Sequence, residues 1–398
     1  MLAFRASPQN RTRVQKGRSA PMNPSLAVRR PSSLHALSRG GPENDVDGRR
    51  IPGPVLLIGV AVVYAALAQF VIHLNDPVHL GAGLWPAAGF TLAVLVKVAP
   101  RRWLWVLAGV TVAELGGDLA QGYPADASLW WVAANCIEPV VGAGLLRWWG
   151  FSGGLTPIRQ LFRFLLAAVL IGPLVGGTLG SVGTIALGPQ GWLDVWPKFV
   201  IGDALGVLVV APLLLWWGDH DSARRRAETV TLMVALPAVG IASFHGRHGV
   251  WVAGLPYLVI PLLTWAALRY GRRGAALSVF TVTMIANWST AAGDGPFALV
   301  GAPSGLAITL LQAFLLVAAL STFVLAAIVE DLADRTAVEA GLQIQASTDA
   351  LTGLPNRTAM APVLADLETS GSSGVGLLVC DVDHFEGGER RPRAPCRR

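Results

Sequence analysis

Between residues 51 and 329 the chain is a succession of long apolar runs with almost no charge inside them. No water-soluble core could bury so much apolar surface in runs of this length. Charged residues make up only 14% of the chain, where a soluble domain carries about 25%, and the deficit is confined to this middle. A helix needs about 20 apolar residues to cross the hydrocarbon layer, and in lipid a segment must satisfy its own backbone groups. The sequence therefore predicts a mainly α protein, a polytopic transmembrane helix bundle. The expected spans are 53–72, 82–98, 103–119, 129–149, 161–187, 197–217, 229–245, 250–269, 274–290 and 305–329. Several are short and two have the length of re-entrant segments, so about eight to ten crossings are expected.

The net charge of +6 and a pI near 9.7 resemble a nucleic-acid binder at first sight. The placement of the charges argues for a lipid bilayer as partner and against nucleic acid. Arg101, Arg102, Arg147, Arg159, Arg163, Arg224, Arg225, Arg226, Arg272 and Arg273 fall in every second loop. The alternate loops carry Asp76, Asp126, Asp194 and Asp294, with Arg247 as the main exception and Lys198 nearby. By the positive-inside rule both termini are expected in the cytoplasm. Residues 1–50, rich in Arg, Pro and Ser, read as a disordered basic tail. They lack the short apolar core and cleavage site of a signal peptide, and Met22 offers a later start. Cys136, Cys380 and Cys396 have neither metal-ligand spacing nor a paired framework.

Ionisable side chains at mid-membrane are costly, by about 2.5–3.5 kcal/mol on insertion scales, so those present need partners or a purpose. Glu114 and Asp118 lie one turn apart on the third run. Asn135 and Glu138 share a face of the fourth. Asp203 sits in the sixth and Asn287 in the ninth, while Lys97 is close enough to an end to reach the interface. Two readings stay open for the acids: interhelical hydrogen bonds that hold the bundle, or a polar pocket for a ligand or proton. Gly172, Gly176 and Gly180, four apart, let another helix approach closely.

Three stretches resemble a known family. GLWPAAGFTLA (83–93), ANCIEPVVGAGLLR (134–147) and GDALGVLVVAPLLL (202–215) are similar, in that order, to the signature blocks of the MASE1 domain. That domain is a bacterial integral-membrane sensory module found upstream of cyclases, phosphodiesterases and histidine kinases. The resemblance covers roughly residues 53–330. It makes Trp85, Pro86, Asn135, Glu138, Gly202, Asp203 and Pro212 the characteristic positions, implies the bacterial inner membrane, and leaves the sensory ligand unknown.

After Val329 the pattern changes. Residues 330–347 are polar and helix-favouring, a helical signalling linker. Ile328, Leu332, Leu342 and Ala346 fall at a/d spacing, interrupted by Arg335 and Glu339, so a short parallel coiled coil in a homodimer is expected. In residues 348–385 Asn356 is placed to cap a helix running to about Leu367. Val375, Leu377, Leu378 and Val379 then form an apolar run of strand character ending at Asp381 and Asp383.

DALTGLPNR, followed about 25 residues later by DVDHF, is similar to the start of the GGDEF domain of diguanylate cyclases. That family joins two GTP molecules into cyclic di-GMP with Mg²⁺. The resemblance implies Asp381 and the Val382 carbonyl as metal ligands, and backbone N–H groups of His384 and Phe385 on phosphates. Asp349, Asn356 and Arg357 would couple linker to domain. The likeness stops at Phe385. Glu386 stands where Lys is expected, the guanine-reading Asn is absent, and residues 386–398 are Arg/Pro-rich without the GG[DE]EF turn. Gly387-Gly388-Glu389 has no second acid and no following Phe. The abrupt change reads as a shift of frame in a GC-rich gene.

The expected organisation is thus a tail (1–50), a MASE1-like sensor (51–329), a linker (330–347), the first helix and strand of an incomplete α/β GGDEF domain (348–385) and a short tail (386–398). The expected function is a membrane-bound signal sensor of the diguanylate cyclase family with an inactive output. Two alternatives remain: a membrane binding or transport protein using its intramembrane acids, with a vestigial C-terminus, and a cyclase completed by a partner chain.

Overall fold

The structure, a computed structural model, describes residues 51–74, 83–152, 158–188, 191–216, 226–245, 250–298, 304–349 and 352–369. Every long element among them is a helix. In chain order these are α1 (Gly53–Leu74), α2 (Pro86–Lys97), α3 (Trp103–Ala120), α4 (Ala125–Trp148), α5 (Ile158–Phe164), α6 (Gly172–Ile185), α7 (Trp192–Leu215), α8 (Arg226–Phe244), α9 (Ile260–Ala291), the single turn α10 (Gly295–Ala298), α11 (Ser304–Ser347) and α12 (Arg357–Thr369). A seven-residue π-helical stretch, Leu165–Ile171, joins α5 to α6.

Among the described residues, seven helical stretches are long and apolar enough to cross a bilayer, and Pro86–Lys97 and Glu228–Phe244 are shorter apolar helices. One of the seven, Leu255–Ala298, contains the left-handed residue Gly271 (φ 57°), where α9 breaks into two limbs. With its limbs separated, and the short helices included, each of the ten apolar runs has its own helical segment. The chain is a multi-pass membrane protein. Outward residues such as Val55, Ile58 and Val62 on α1 are exposed and apolar, as a lipid-facing surface requires.

The second segment departs from a simple crossing. α2 has 12 residues, about 18 Å, against about 30 Å of hydrocarbon. Before it the backbone at Leu84–Trp85 is non-helical, and Trp85 N–H donates to the Gly202 carbonyl near the middle of α7 (3.0 Å). Irregular backbone survives at such depth only inside protein. α7 provides that protein: Gly202–Pro212 is buried without interruption, as expected of a helix apolar on all faces. An added Cβ at Gly206 would run into the Trp85 carbonyl, so Gly is needed for this approach.

The helix directions sort the charges onto two ends. One end carries Lys97, whose Nζ donates to the Leu214 carbonyl (2.5 Å), and the Arg269–Glu228 pair, with Nε to Oε2 at 2.9 Å. The other end carries Asp126 and Asp194 in the first turns of α4 and α7, and His245 against Asp294 at 3.4 Å. At the Gly271 break the freed Arg272 N–H is taken by the Glu330 carboxylate (2.7 Å), pinning α9 to α11.

The 44 residues of α11 span about 66 Å, twice the hydrocarbon thickness. Leu311, Leu315, Ala319, Phe323 and Ala327 are buried in the bundle, whereas Leu332, Val338 and Leu342 are exposed beyond it. Past its end, Asp349 Oδ1 accepts from Thr352 N–H (2.9 Å) in a tight turn. Asn356 Nδ2 donates back to the Ala346 carbonyl (2.8 Å), and its Oδ1 caps α12 through Thr358 N–H (2.9 Å). The apolar run 375–379 and the residues Asp381, Val382, His384 and Phe385 lie outside the described residues.

Candidate functional site

Helices α1, α3, α4 and α7 surround the Trp85 segment, and each brings a polar side chain. Asn135 on α4 occupies the centre. Its Oδ1 accepts from Trp85 Nε1 (3.1 Å) and its Nδ2 donates to Glu114 Oε1 on α3 (2.8 Å). An indole N–H only donates, which fixes the orientation of the amide. Pro139 lies four residues on in the same helix and lacks an N–H, so it cannot pair with the Asn135 carbonyl. Tyr64 on α1 is buried with its hydroxyl facing Glu114, yet outside good hydrogen-bond geometry.

Glu138, one turn along α4, is 2% exposed. Room for its side chain comes from the glycine stripe of α6: a Cβ at Gly176 would collide with its carboxylate, and Gly172 lies against its backbone. The stripe is a packing feature, and what it packs is an acid. On the other side Glu138 interacts with Asp203 of α7, and its Oε1 has no protein partner.

Beside this network is a cavity of about 100 Å³, several times the space one water needs. Glu114, Asp118, Asn135, Asp203 and Lys198 supply its polar lining, and Trp85, Tyr123, Trp131 and Phe199 its aromatic lining. Asp118 is 8% exposed and its Oδ2 has no protein partner. Trp131 is held by its indole N–H on Thr184 Oγ1 (3.1 Å) and by an edge contact with Tyr123. Ile72, Asp118, Thr184 and Lys198 belong to the Asp126/Asp194 half of the bundle, so the cavity lies away from the arginine-rich end.

Trp85, Glu114, Asp118, Asn135 and Asp203 therefore share one cavity wall, with Glu138 behind Asp203. Asn287 is not part of the cavity lining: its Nδ2 donates to the Thr283 carbonyl of its own helix (2.9 Å), and its side chain lies against Gly83, just before the Trp85 segment. Sequence reasoning gave no role to Lys198, Tyr123, Trp131 or Thr184. Their signal was only their position at helix ends, which does not say which ends meet. Among the described residues no group of three His, Cys, Asp or Glu is arranged to hold a metal ion.

The family model for MASE1 matches residues 55–332, well over half of the chain. The chain belongs to the MASE1 family. The MASE1 match encloses every residue of the cavity and ends inside α11, just past the Arg272–Glu330 contact. One similar protein is the probable diguanylate cyclase DgcE of Escherichia coli (strain K12), 24% identical over 256 residues. The aligned stretch is 61% of this chain and 22% of that relative, so the chain spans a minor part of the relative's length. No solved structure matches the chain.

Proposed function

We propose that this chain is a membrane sensor of cyclic di-GMP signalling, in which the state of the polar cavity is passed to the cytoplasm through α11. The continuity of α11 carries this reading. A single helix is packed in the bundle over Leu311–Ala327 and delivers its far end to the Asp349/Asn356 turn, where the resemblance to GGDEF begins. α7, which lines the cavity with Lys198, Gly202 and Asp203, also packs on α11, and Trp216 at its end meets Phe323 edge-on (5.7 Å between centroids). A shift of α7 relative to α2 and α4 thus has a direct mechanical route to the linker.

The MASE1 membership and the diguanylate cyclase relative support the signalling context. By the GGDEF resemblance GTP and Mg²⁺ belong to intact relatives, with Asp381, Val382, His384 and Phe385 in the roles given above. These 398 residues by themselves lack the GG[DE]EF turn and the guanine-reading Asn, so on this reading they make no cyclic di-GMP. Exposed Leu332 and Leu342 on the projecting part of α11 are placed to pair with a second copy. The sensor sits in the bacterial inner membrane with both termini in the cytoplasm. Reporter fusions after Arg226 and Arg273 are expected to read inside, and one after Asp294 outside; a periplasmic signal at Arg226 would end that topology.

The function is tested by joining residues 1–355 in frame to an intact diguanylate cyclase catalytic domain. Glu138→Gln and Asp203→Asn should each change cellular cyclic di-GMP severalfold at equal membrane abundance. Unchanged output from both would refute the sensor reading. The unfused chain, purified and incubated with GTP and Mg²⁺, should yield no product. Turnover abolished by Asp381→Ala would refute its inactivity.

A further inference from the structure

At the arginine-rich end α9 changes direction at Gly271, whose backbone (φ 57°, ψ −146°) is one that glycine alone adopts readily. The break strands the N–H groups that open the second limb, residues 272–291. One of them finds its acceptor on another helix: Arg272 N–H donates to Glu330 Oε1 of α11 (2.7 Å), and the Arg272 Nε lies 3.9 Å from Oε2. Residues 304–329 carry no charge, so Glu330 is the first charged side chain of α11. A carboxylate at a helix start also meets the positive end of the helix dipole. A Cβ at Gly271 would run into the same Oε1, so glycine serves both the turn and the contact. The first limb is tied elsewhere. Arg269 binds Glu228, and Thr229 Oγ1 donates to the Tyr270 hydroxyl (3.3 Å), both partners being on α8. The far end of the second limb reaches the segment that shapes the cavity: Asn287 Oδ1 lies against Gly83, where a Cβ would not fit. Between the two contacts Ala275, Val279, Val282 and Ala286 are buried, and the helix from 272 to 287 is a rod of about 22 Å.

We propose that Glu330 is a latch: by holding the start of the second α9 limb it sets the position of α11 against the bundle, and through it a displacement of segment 83–85 reaches the linker. This rests on the reading of α11 as the output helix. It adds a positioning residue and a route separate from the Trp216–Phe323 contact of α7. The break leaves α9 with one limb tied to α8 and one tied to α11, so the second limb can tilt about Gly271 while the first stays in place. A tilt moves the Arg272 N–H, and the Glu330 carboxylate follows it or lets go. Either response repositions α11 just ahead of the exposed Leu332.

The test is a distance measurement in the full chain in detergent. The native cysteines are replaced, and nitroxide labels are placed at exposed Arg101, at the same end of the bundle, and at exposed Thr336 on the projecting part of α11. Dilution with unlabelled chain keeps the distance within one copy. Glu330→Leu removes the acceptor, and Arg272→Pro removes the donor at a helix start, where proline is tolerated. Each should shift the distance by about 2 Å or more, the scale of helix shifts in switching proteins. The double variant should shift it no further than the larger single one, because both break one bond. Glu330→Gln keeps an acceptor and should leave the distance in place, as should Asp334→Leu, one turn on and outside the latch. Gly83→Ala presses a methyl on the Asn287 amide and should shift the distance, but less once Glu330→Leu has opened the latch. Unchanged distances in Glu330→Leu and Arg272→Pro overturn the proposal, as do additive shifts or an equal shift in Asp334→Leu. A Gly83→Ala effect that is absent, or the same with and without Glu330, overturns the route. Should Glu330→Leu not fold, Arg272→Pro takes its place in each comparison. If Asp203→Asn alters the output of the fusion while the latch variants leave the distance unchanged, the latch falls and the sensor stands.

Discussion

The two halves of the bundle solve the same problem with different materials. In α1–α7 the buried side chains include Glu114, Asp118, Glu138 and Asp203, set around broken and glycine-rich helices. In α8–α11 the buried polar residues described are neutral, Ser243, Ser278, Thr283, Asn287, Gln312 and Thr322 among them, and several hydrogen-bond their own helix. The charges of that half stand at its ends, as Glu228–Arg269, Arg272–Glu330 and His245–Asp294. Lipid supplies no hydrophobic drive for helix association, so packing and interhelical hydrogen bonds must provide it. The second half does so by apolar packing inside and by polar contacts between helices near its ends, such as Thr229–Tyr270 and Arg272–Glu330. The first half retains buried acids, one of them hydrogen-bonded between helices, set around a cavity.

The difference is largest where backbone meets backbone. Gly206→Ala drives a methyl into the Trp85 carbonyl and should destabilise the chain by about 1–3 kcal/mol, as overpacking does. In the other half, Gly240→Ala meets only the tip of Ile285. There the helix-propensity gain of about 0.5–1 kcal/mol should offset the crowding and leave stability nearly unchanged. Thermal unfolding in detergent measures both, and equal losses would erase the contrast.

A smaller effect separates the two buried asparagines. Asn135→Leu leaves the Trp85 indole and Glu114 Oε1 unpaired, a loss of about 1–3 kcal/mol by analogy with unsatisfied buried groups. Asn287→Leu breaks a bond within one helix turn and should cost less than about 0.6 kcal/mol, the average for side-chain hydrogen bonds in membranes. Chemical unfolding of the two variants side by side checks the order. The reverse order would mean that the α9 end, not the cavity, carries the polar network.

The smallest effect lies at the Gly271 break. Glu330→Gln keeps an acceptor for Arg272 N–H and removes only the partly exposed charge contact (Nε–Oε2 3.9 Å), so less than about 1 kcal/mol of stability should be lost. Glu330→Leu removes the acceptor as well and should lower stability further. If Glu330→Gln is as damaging as Glu330→Leu, the salt contact outweighs the helix cap.

Much of this was legible in the sequence because it depends on neighbours along the chain. Apolar runs, the arginine asymmetry, the cap at Asn356 and the glycine stripe are local patterns, and a helix in lipid must satisfy its backbone locally. Glu114, Asp118, Asn135, Glu138 and Asp203 were legible as polar residues out of place. What they do together was not. Whether Asn135 meets Glu114 or Asn287, whether the stripe of α6 receives a neighbouring backbone or a carboxylate, and whether Asp118 has a partner all depend on which helices lie side by side. Nor does a run of apolar residues at 82–98 announce that its first turn is unwound on Gly202. Side-chain partners in a bundle come from helices 20 to 60 residues apart in this chain. Hydropathy fixes how many helices there are, while only their tertiary packing decides which polar atoms are paired and which are not.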